Sequence, residues 1–228
     1  MSADNSDEAT LANNEGAALH DQGRYEEAIP YFEKALSLDP NHFEALKNMV
    51  SIFNYLDRFE DAIPFLNRAE KINSNDSDLF SRKGIALTGL EKYEEAISYL
   101  DKALEINSSD TVSLSNKGQC LDGLKRFEEA IQCYDKALSI DPNDSVALGN
   151  KATTLVDLGK LEESLEYFDK ALSQTPNDEV FLLNKAEVLD ELGKIDEAVK
   201  CCNKVLEQDP KNPDALDFLD YITENSLS

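Results

Sequence analysis

Basic residues are scarce in this sequence: 22 lysines and arginines stand against 46 aspartates and glutamates, a formal net charge of −24. A phosphate backbone or an anionic bilayer is held by a basic face that displaces counterions, so nucleic acid and membrane are not expected partners. Apolar runs of bilayer-spanning length are missing too, and the opening MSADNSDE has no apolar stretch of the kind a signal peptide needs. Cytoplasm is the expected compartment. Histidine is limited to His20 and His42, without a cysteine or serine at catalytic spacing. The four cysteines, Cys120, Cys133, Cys201 and Cys202, include an adjacent pair and follow neither a disulfide framework nor a zinc pattern. They read as reduced, packed thiols. A loop beginning DPND at Asp141 has Val146 where a calcium loop requires glycine, so it reads as a turn. No metal, cofactor or enzymatic activity is expected.

Apolar material is not lacking. With 41% hydrophobic and 30% charged residues the chain has enough for a packed core under a charged surface. Its distribution is periodic at 34 residues, without insertion, from Ala9 to Asn212, which makes six units: 9–42, 43–76, 77–110, 111–144, 145–178 and 179–212. Each unit contains two amphipathic helical patterns. In the first, positions 4, 8 and 11 fall within roughly 60° of one another and form a buried stripe, for example Leu114, Gly118 and Leu121. In the second, positions 17, 20, 21, 24, 27 and 28 do the same, as in Phe127, Ala130, Ile131, Tyr134, Ala137 and Leu138.

Small residues recur where the two helices must approach closely. Position 8 is Gly16, Gly84, Gly118, Ala152 and Ala186, with Val50 as the departure. Asp76, Asp110, Asp144 and Asp178 are natural N-caps, Gly23, Gly159 and Gly193 supply turns, and Pro30 and Pro64 are expected to kink the helices that contain them. After the last unit, NPDALDFLDYI pairs an Asn212 cap with Pro213 at the first turn of an amphipathic segment.

This column pattern resembles the tetratricopeptide repeat, with a small residue at 8, aromatic or leucine at 11 and 17, alanine at 20 and 27, and proline at 32. The resemblance covers about nine-tenths of the chain. It implies an all-α fold of tandem helix-turn-helix repeats in a right-handed superhelical solenoid, with a concave groove lined by the first helices. Residues 1–8 are then expected to be disordered, and 213–228 to be a capping helix and tail.

Position 6 lies opposite the buried stripe, on the face the groove would present. It is Asn14, Asn48, Arg82, Asn116, Asn150 and Asn184. Asparagine is a mediocre helix former, but its amide can both donate to and accept from the backbone of an extended peptide. The series resembles the asparagine array in O-linked N-acetylglucosamine transferases, which implies a peptide ligand. The alternative is that these amides bond a neighbouring repeat. Val112, Val146 and Val180 at position 2, with Leu183, add an apolar track, while Gly89, Gly123, Gly149, Ser81 and Ser115 should leave the groove roomy. Lys83, Lys117, Lys151 and Lys185 at position 7 are expected to snorkel. A carboxylate clamp of the kind that grips chaperone tails is not expected: its positions here are Asn13, Ala17, Asn48, Asp78 and Arg82, of which only two match.

The expected function is therefore a non-catalytic protein-protein interaction scaffold that binds an extended peptide through an asparagine ladder. The partner is a protein or peptide, and the scaffold is a monomer or weakly self-associating. The alternative is a structural solenoid whose groove or ends mediate oligomerisation.

Overall fold

Short polar residues start the first helix of nearly every repeat by accepting a backbone N–H that the helix leaves unpaired. His42 Nδ1 accepts from Ala45 N at 3.2 Å, and Asp76 accepts from Leu79 N at 2.7 Å. Asp110, Asp144 and Asp178 accept from Val112, Val146 and Phe181 at 3.2, 3.0 and 3.0 Å. In the computed structural model, which describes residues 3–225, these five caps open the first helices of the second to sixth repeats. The pairs are α1 (Ala3–His20) with α2 (Tyr25–Leu38), α3 (Phe43–Tyr55) with α4 (Phe59–Ile72), and α5 (Ser77–Gly89) with α6 (Tyr93–Ile106). There follow α7 (Thr111–Gly123) and α8 (Phe127–Ile140), α9 (Ser145–Asp157) and α10 (Leu161–Gln174), α11 (Glu179–Glu191) and α12 (Ile195–Gln208), and finally α13 (Pro213–Asn225). Thirteen helices and no strand are present among the described residues, as the repeat pattern requires.

Of the segment 1–8 expected to be disordered, residues 3–8 belong to α1, which begins at Ala3, and residues 1 and 2 lie outside the described residues. Thr10 Oγ1 donates to the Ser6 carbonyl at 3.0 Å. The helices containing Pro30 and Pro64 run unbroken through them.

Position 15 turns each first helix into the second through a left-handed residue. Gly23, Gly159 and Gly193 have φ of 73°, 70° and 72°, and Asp57, Glu91 and Lys125 take 53°, 57° and 59°. The N–H of the following residue then reaches back to position 11, as from Lys92 to the Leu87 carbonyl at 2.9 Å and from Lys194 to Leu189 at 2.8 Å. Left-handed backbone strains a side-chain-bearing residue by about 1 to 2 kcal/mol, and the larger unfolded-state entropy of glycine offsets part of that. Glu91→Gly is therefore expected to raise stability by roughly 0.5 to 1 kcal/mol, and Gly193→Ala to lower it by a similar amount. A Cβ at Gly193 meets nothing within 4 Å, so the second change isolates the backbone effect. Urea denaturation midpoints that fail to move in opposite directions would contradict this.

The chain divides into two units, Met1–Leu124 and Lys125–Ser228. In the first, Phe32, Leu46, Met49, Ile52, Leu66, Leu79 and Leu100 are fully buried. In the second, Leu148, Phe168 and Phe181 form one cluster, while Leu182, Leu189, Cys202 and Val205 form another together with Ala215 and Ile222 of α13. Position 24 carries a fully buried side chain in every repeat, and in the first and third repeats a glycine at position 8 makes room for it. A Cβ on Gly16 would lie 2.7 Å from the Phe32 ring, and one on Gly84 would lie 2.5 Å from Leu100.

Candidate functional site

The faces of the first helices that turn away from the buried stripe carry the position-6 residues. In the N-terminal unit Asn14 is exposed, and its Oδ1 accepts from Asn13 Nδ2 at 3.5 Å. Asn48 Nδ2 donates to Asn13 Oδ1 at 3.0 Å, and Asn116 Nδ2 donates to the Val112 carbonyl at 2.9 Å. In the C-terminal unit Asn184 Nδ2 donates to Thr153 Oγ1 at 3.4 Å, and at Asn150 it is the main-chain carbonyl that accepts, from Thr154 Oγ1 at 3.1 Å. Asn48 and Asn184 thus each reach a neighbouring first helix, and in Asn48, Asn116 and Asn184 the donor end is the end that is held. Their Oδ1 atoms accept no hydrogen bond from any described residue.

Arg82, the break in the series, belongs to a charged group. Its Nε donates to Asp78 Oδ1 at 3.0 Å, and Lys47 Nζ approaches Asp78 Oδ2 at 3.3 Å. Burial pushes the Asp78 carboxyl up, but the charges and hydrogen bonds of Arg82 and Lys47 outweigh it and hold the group below the usual carboxylate range. The clamp position that has the wrong sign is thus occupied by a satisfied ion pair. Beside it is a cavity of about 620 Å³, lined by His20, Tyr55, Asp78, Arg82, Ile85 and Val112 among others.

Val112, Val146 and Val180 are 50%, 55% and 61% exposed, so the position-2 valines lie at the surface. Val180 lines a second cavity, of about 490 Å³, with Leu183 and Asn184 of α11 and Phe218 of α13.

The roominess expected from the glycines is corrected. A Cβ at Gly89 would lie 2.2 Å from Phe59, one at Gly123 would lie 2.7 Å from Tyr93, and one at Gly149 would lie 2.1 Å from Phe181. These glycines admit aromatic rings of adjacent repeats and leave no space for a ligand. Ser81 and Ser115 are buried as well, Ser81 Oγ accepting from Ser113 Oγ at 2.9 Å. At position 13 of the second repeat, where the third and fourth have glycine, Tyr55 stacks on Tyr25 at 5.1 Å with the rings 4° apart, and His20 meets both edge-on. That aromatic group, of which Tyr55 is exposed and His20 and Tyr25 are half-buried, was visible in the sequence only as a departure from its column.

Position 7 also differs from expectation. Instead of snorkelling, the lysines pair with the preceding repeat: Lys83 with Glu70 at 2.6 Å, Lys117 with Asp101 at 2.6 Å, Lys151 with Asp135 at 2.5 Å, and Lys185 with Asp169. Lys83 and Lys151 lie over the Tyr99 and Tyr167 rings at 4.2 and 4.1 Å. Burial disfavours the Lys151 charge, yet Asp135 and Tyr167 more than compensate and its pKa is raised. The recurring aspartate at position 25 was the signal for this pairing.

A tetratricopeptide repeat profile matches residues 9–42, 77–110 and 112–144, and two further profiles of the same description match 133–166 and 155–219. The chain belongs to the tetratricopeptide repeat family. Comparison with curated proteins finds no match. Among solved structures, this tetratricopeptide protein is similar to PilW, described as a widely conserved type IV pilus biogenesis factor. The identity is 22%, with 92% of this chain and 98% of PilW covered and a TM-score of 0.82. It is similar to Pseudomonas aeruginosa pilF at 18% identity, over 95% of this chain and 99% of that one, with a TM-score of 0.75. YrrB, described as a tetratricopeptide protein with an unusual peptide-binding site, is 26% identical over 76% of this chain and 90% of its own, with a TM-score of 0.57. Among the described residues of this tetratricopeptide protein, no helix is long and apolar enough to cross a membrane.

Proposed function

We propose that this protein is a non-catalytic, cytoplasmic interaction scaffold whose first helices take up extended peptide segments of partner proteins. The tetratricopeptide fold supports an interaction role, and the asparagines give it a chemical form. With Nδ2 of Asn48, Asn116 and Asn184 held by the protein, each side chain keeps an acceptor, Oδ1, for a ligand N–H. An extended backbone offers such donors without regard to its side chains, so affinity for peptides comes first and sequence preference second. The likeness to YrrB, whose description names a peptide-binding site, agrees with this reading.

The test uses peptides selected by display on the native protein and two double variants, Asn48→Ala/Asn116→Ala in one unit and Asn150→Ala/Asn184→Ala in the other. A net hydrogen bond contributes about 0.5 to 1.5 kcal/mol, so each pair is expected to weaken its peptides by about 1 to 3 kcal/mol while the helical content stays native. If calorimetric affinities are unchanged in both, the asparagines take no part in peptide binding.

A further inference from the structure

The cavity between α11 and α13 has an apolar floor and a charged rim of one sign. Val180, Leu183 and Glu187 come from one face of α11, and Asp214, Asp217 and Phe218 from one face of α13. Glu179 completes the rim, and Asn212 Nδ2 donates to its Oε1 at 2.7 Å. No lysine or arginine lines this space. None of its four carboxylates is in an ion pair with a described residue, whereas Asp135 and Asp169 of the same unit are each matched by a lysine.

Carboxylates gathered around a low-dielectric hollow repel one another and focus a negative potential into it. A neutral apolar side chain would fill the floor and leave that repulsion untouched. Lysine or arginine meets both demands, because its aliphatic stem can lie on Val180 and Phe218 while its head reaches the rim. We infer that this cavity docks a basic, amphipathic segment of a partner protein, with leucine-like side chains on the floor and arginine or lysine among Glu187, Asp214 and Asp217. The inference rests on the peptide-binding reading, since Val180 and Asn184 belong to both, and adds the charge of the partner to it.

The probe is an amidated, fluorescein-labelled peptide of repeated Arg-Leu-Ser units, compared with the same peptide carrying citrulline for arginine. The full chain is tested beside Glu187→Gln/Asp214→Asn/Asp217→Asn. A control, Glu128→Gln/Glu162→Gln/Glu163→Gln, removes the same charge from the exposed first turns of α8 and α10. Anisotropy titrations are expected to show the citrulline probe binding about tenfold more weakly than the arginine probe, the rim variant losing about tenfold for the arginine probe, and the control staying within about twofold of native. Val180→Ser is expected to weaken both probes. Equal losses in the rim variant and the control mean diffuse attraction to an acidic protein and overturn the proposal, as does spermine competing as effectively as the peptide. Citrulline and arginine probes binding alike overturn the charge preference and leave the peptide reading intact. If neither probe binds while display-selected peptides do, the cavity is not the site. Sedimentation showing self-association that the rim variant abolishes would assign the face to a second copy instead.

Discussion

Phe168→Ala is expected to destabilise the C-terminal unit by about 3 to 5 kcal/mol, the range for removing a wholly buried aromatic side chain. Phe168 is 0% exposed and packs in one cluster with Leu148, Ala152, Ala171, Phe181 and Val188. The void it leaves cannot close easily. Asp144 and Asp178 cap α9 and α11, and the Lys151–Asp135 and Lys185–Asp169 pairs hold neighbouring repeats at their spacing. Ala152, the position-8 residue across from it, is itself too small to fill the gap. Since a domain is stable by only about 5 to 15 kcal/mol, a loss of this size should unfold α9 to α11 well below the native urea midpoint. Phe168→Leu, which keeps most of the volume, should recover more than half of the loss. A shift below about 1 kcal/mol for the alanine variant would show that the repeat closes over the cavity and that position 24 is not its keystone.

That position was legible in the sequence because a repeat aligns every residue with five others in the same role. The 34-residue period, the aspartate caps and the small residues at position 8 follow from columns that keep one chemical type, and all three hold in the structure. A column cannot say what another column puts opposite it. Gly89 and Gly123 look alike whether they open onto a ligand or onto a ring, and only the geometry brings Phe59 and Tyr93 against them. The left-handed residue at position 15 was visible where it is Gly23, Gly159 or Gly193 and hidden where it is Asp57, Glu91 or Lys125. The asparagine column left a peptide ligand and a neighbouring repeat both open as partners, and the bonds of Asn48 and Asn184 to Asn13 and Thr153 depend on two other columns. Where one column departs, as Tyr55 and Arg82 do, the departure marked a real local arrangement and left its partners unstated.

Removal of residues 213–228 is expected to lower the stability of the last repeat and to make the protein self-associate. Ala215 and Ile222 of α13 are buried, and Phe218 and Leu219 half-buried, against a cluster that includes Leu182, Ala186, Leu189, Cys202, Val205 and Leu206. Each large apolar side chain taken out of water contributes about 1.5 to 3 kcal/mol, so three of them, two only partly covered, account for something on the order of 5 kcal/mol. In a repeat protein that loss falls on the terminal unit, because each repeat is held by its neighbours alone. The sixth repeat would keep α11 and α12 but turn their apolar face to solvent, where a second molecule offers the same face. The expected readouts are a lower thermal midpoint and a sedimentation coefficient that rises with concentration. Replacing Phe218, Leu219 and Ile222 by serine in the full-length chain separates the two explanations for such a result. If the apolar contact is what matters, the serine variant should behave like the truncation, even though the Asn212 cap, which accepts from Ala215 N at 2.9 Å, still has its helix to begin. A truncated protein that stays monomeric and melts at the native temperature would mean that α13 shields nothing, and the apolar face of α12 would then need another explanation for its composition.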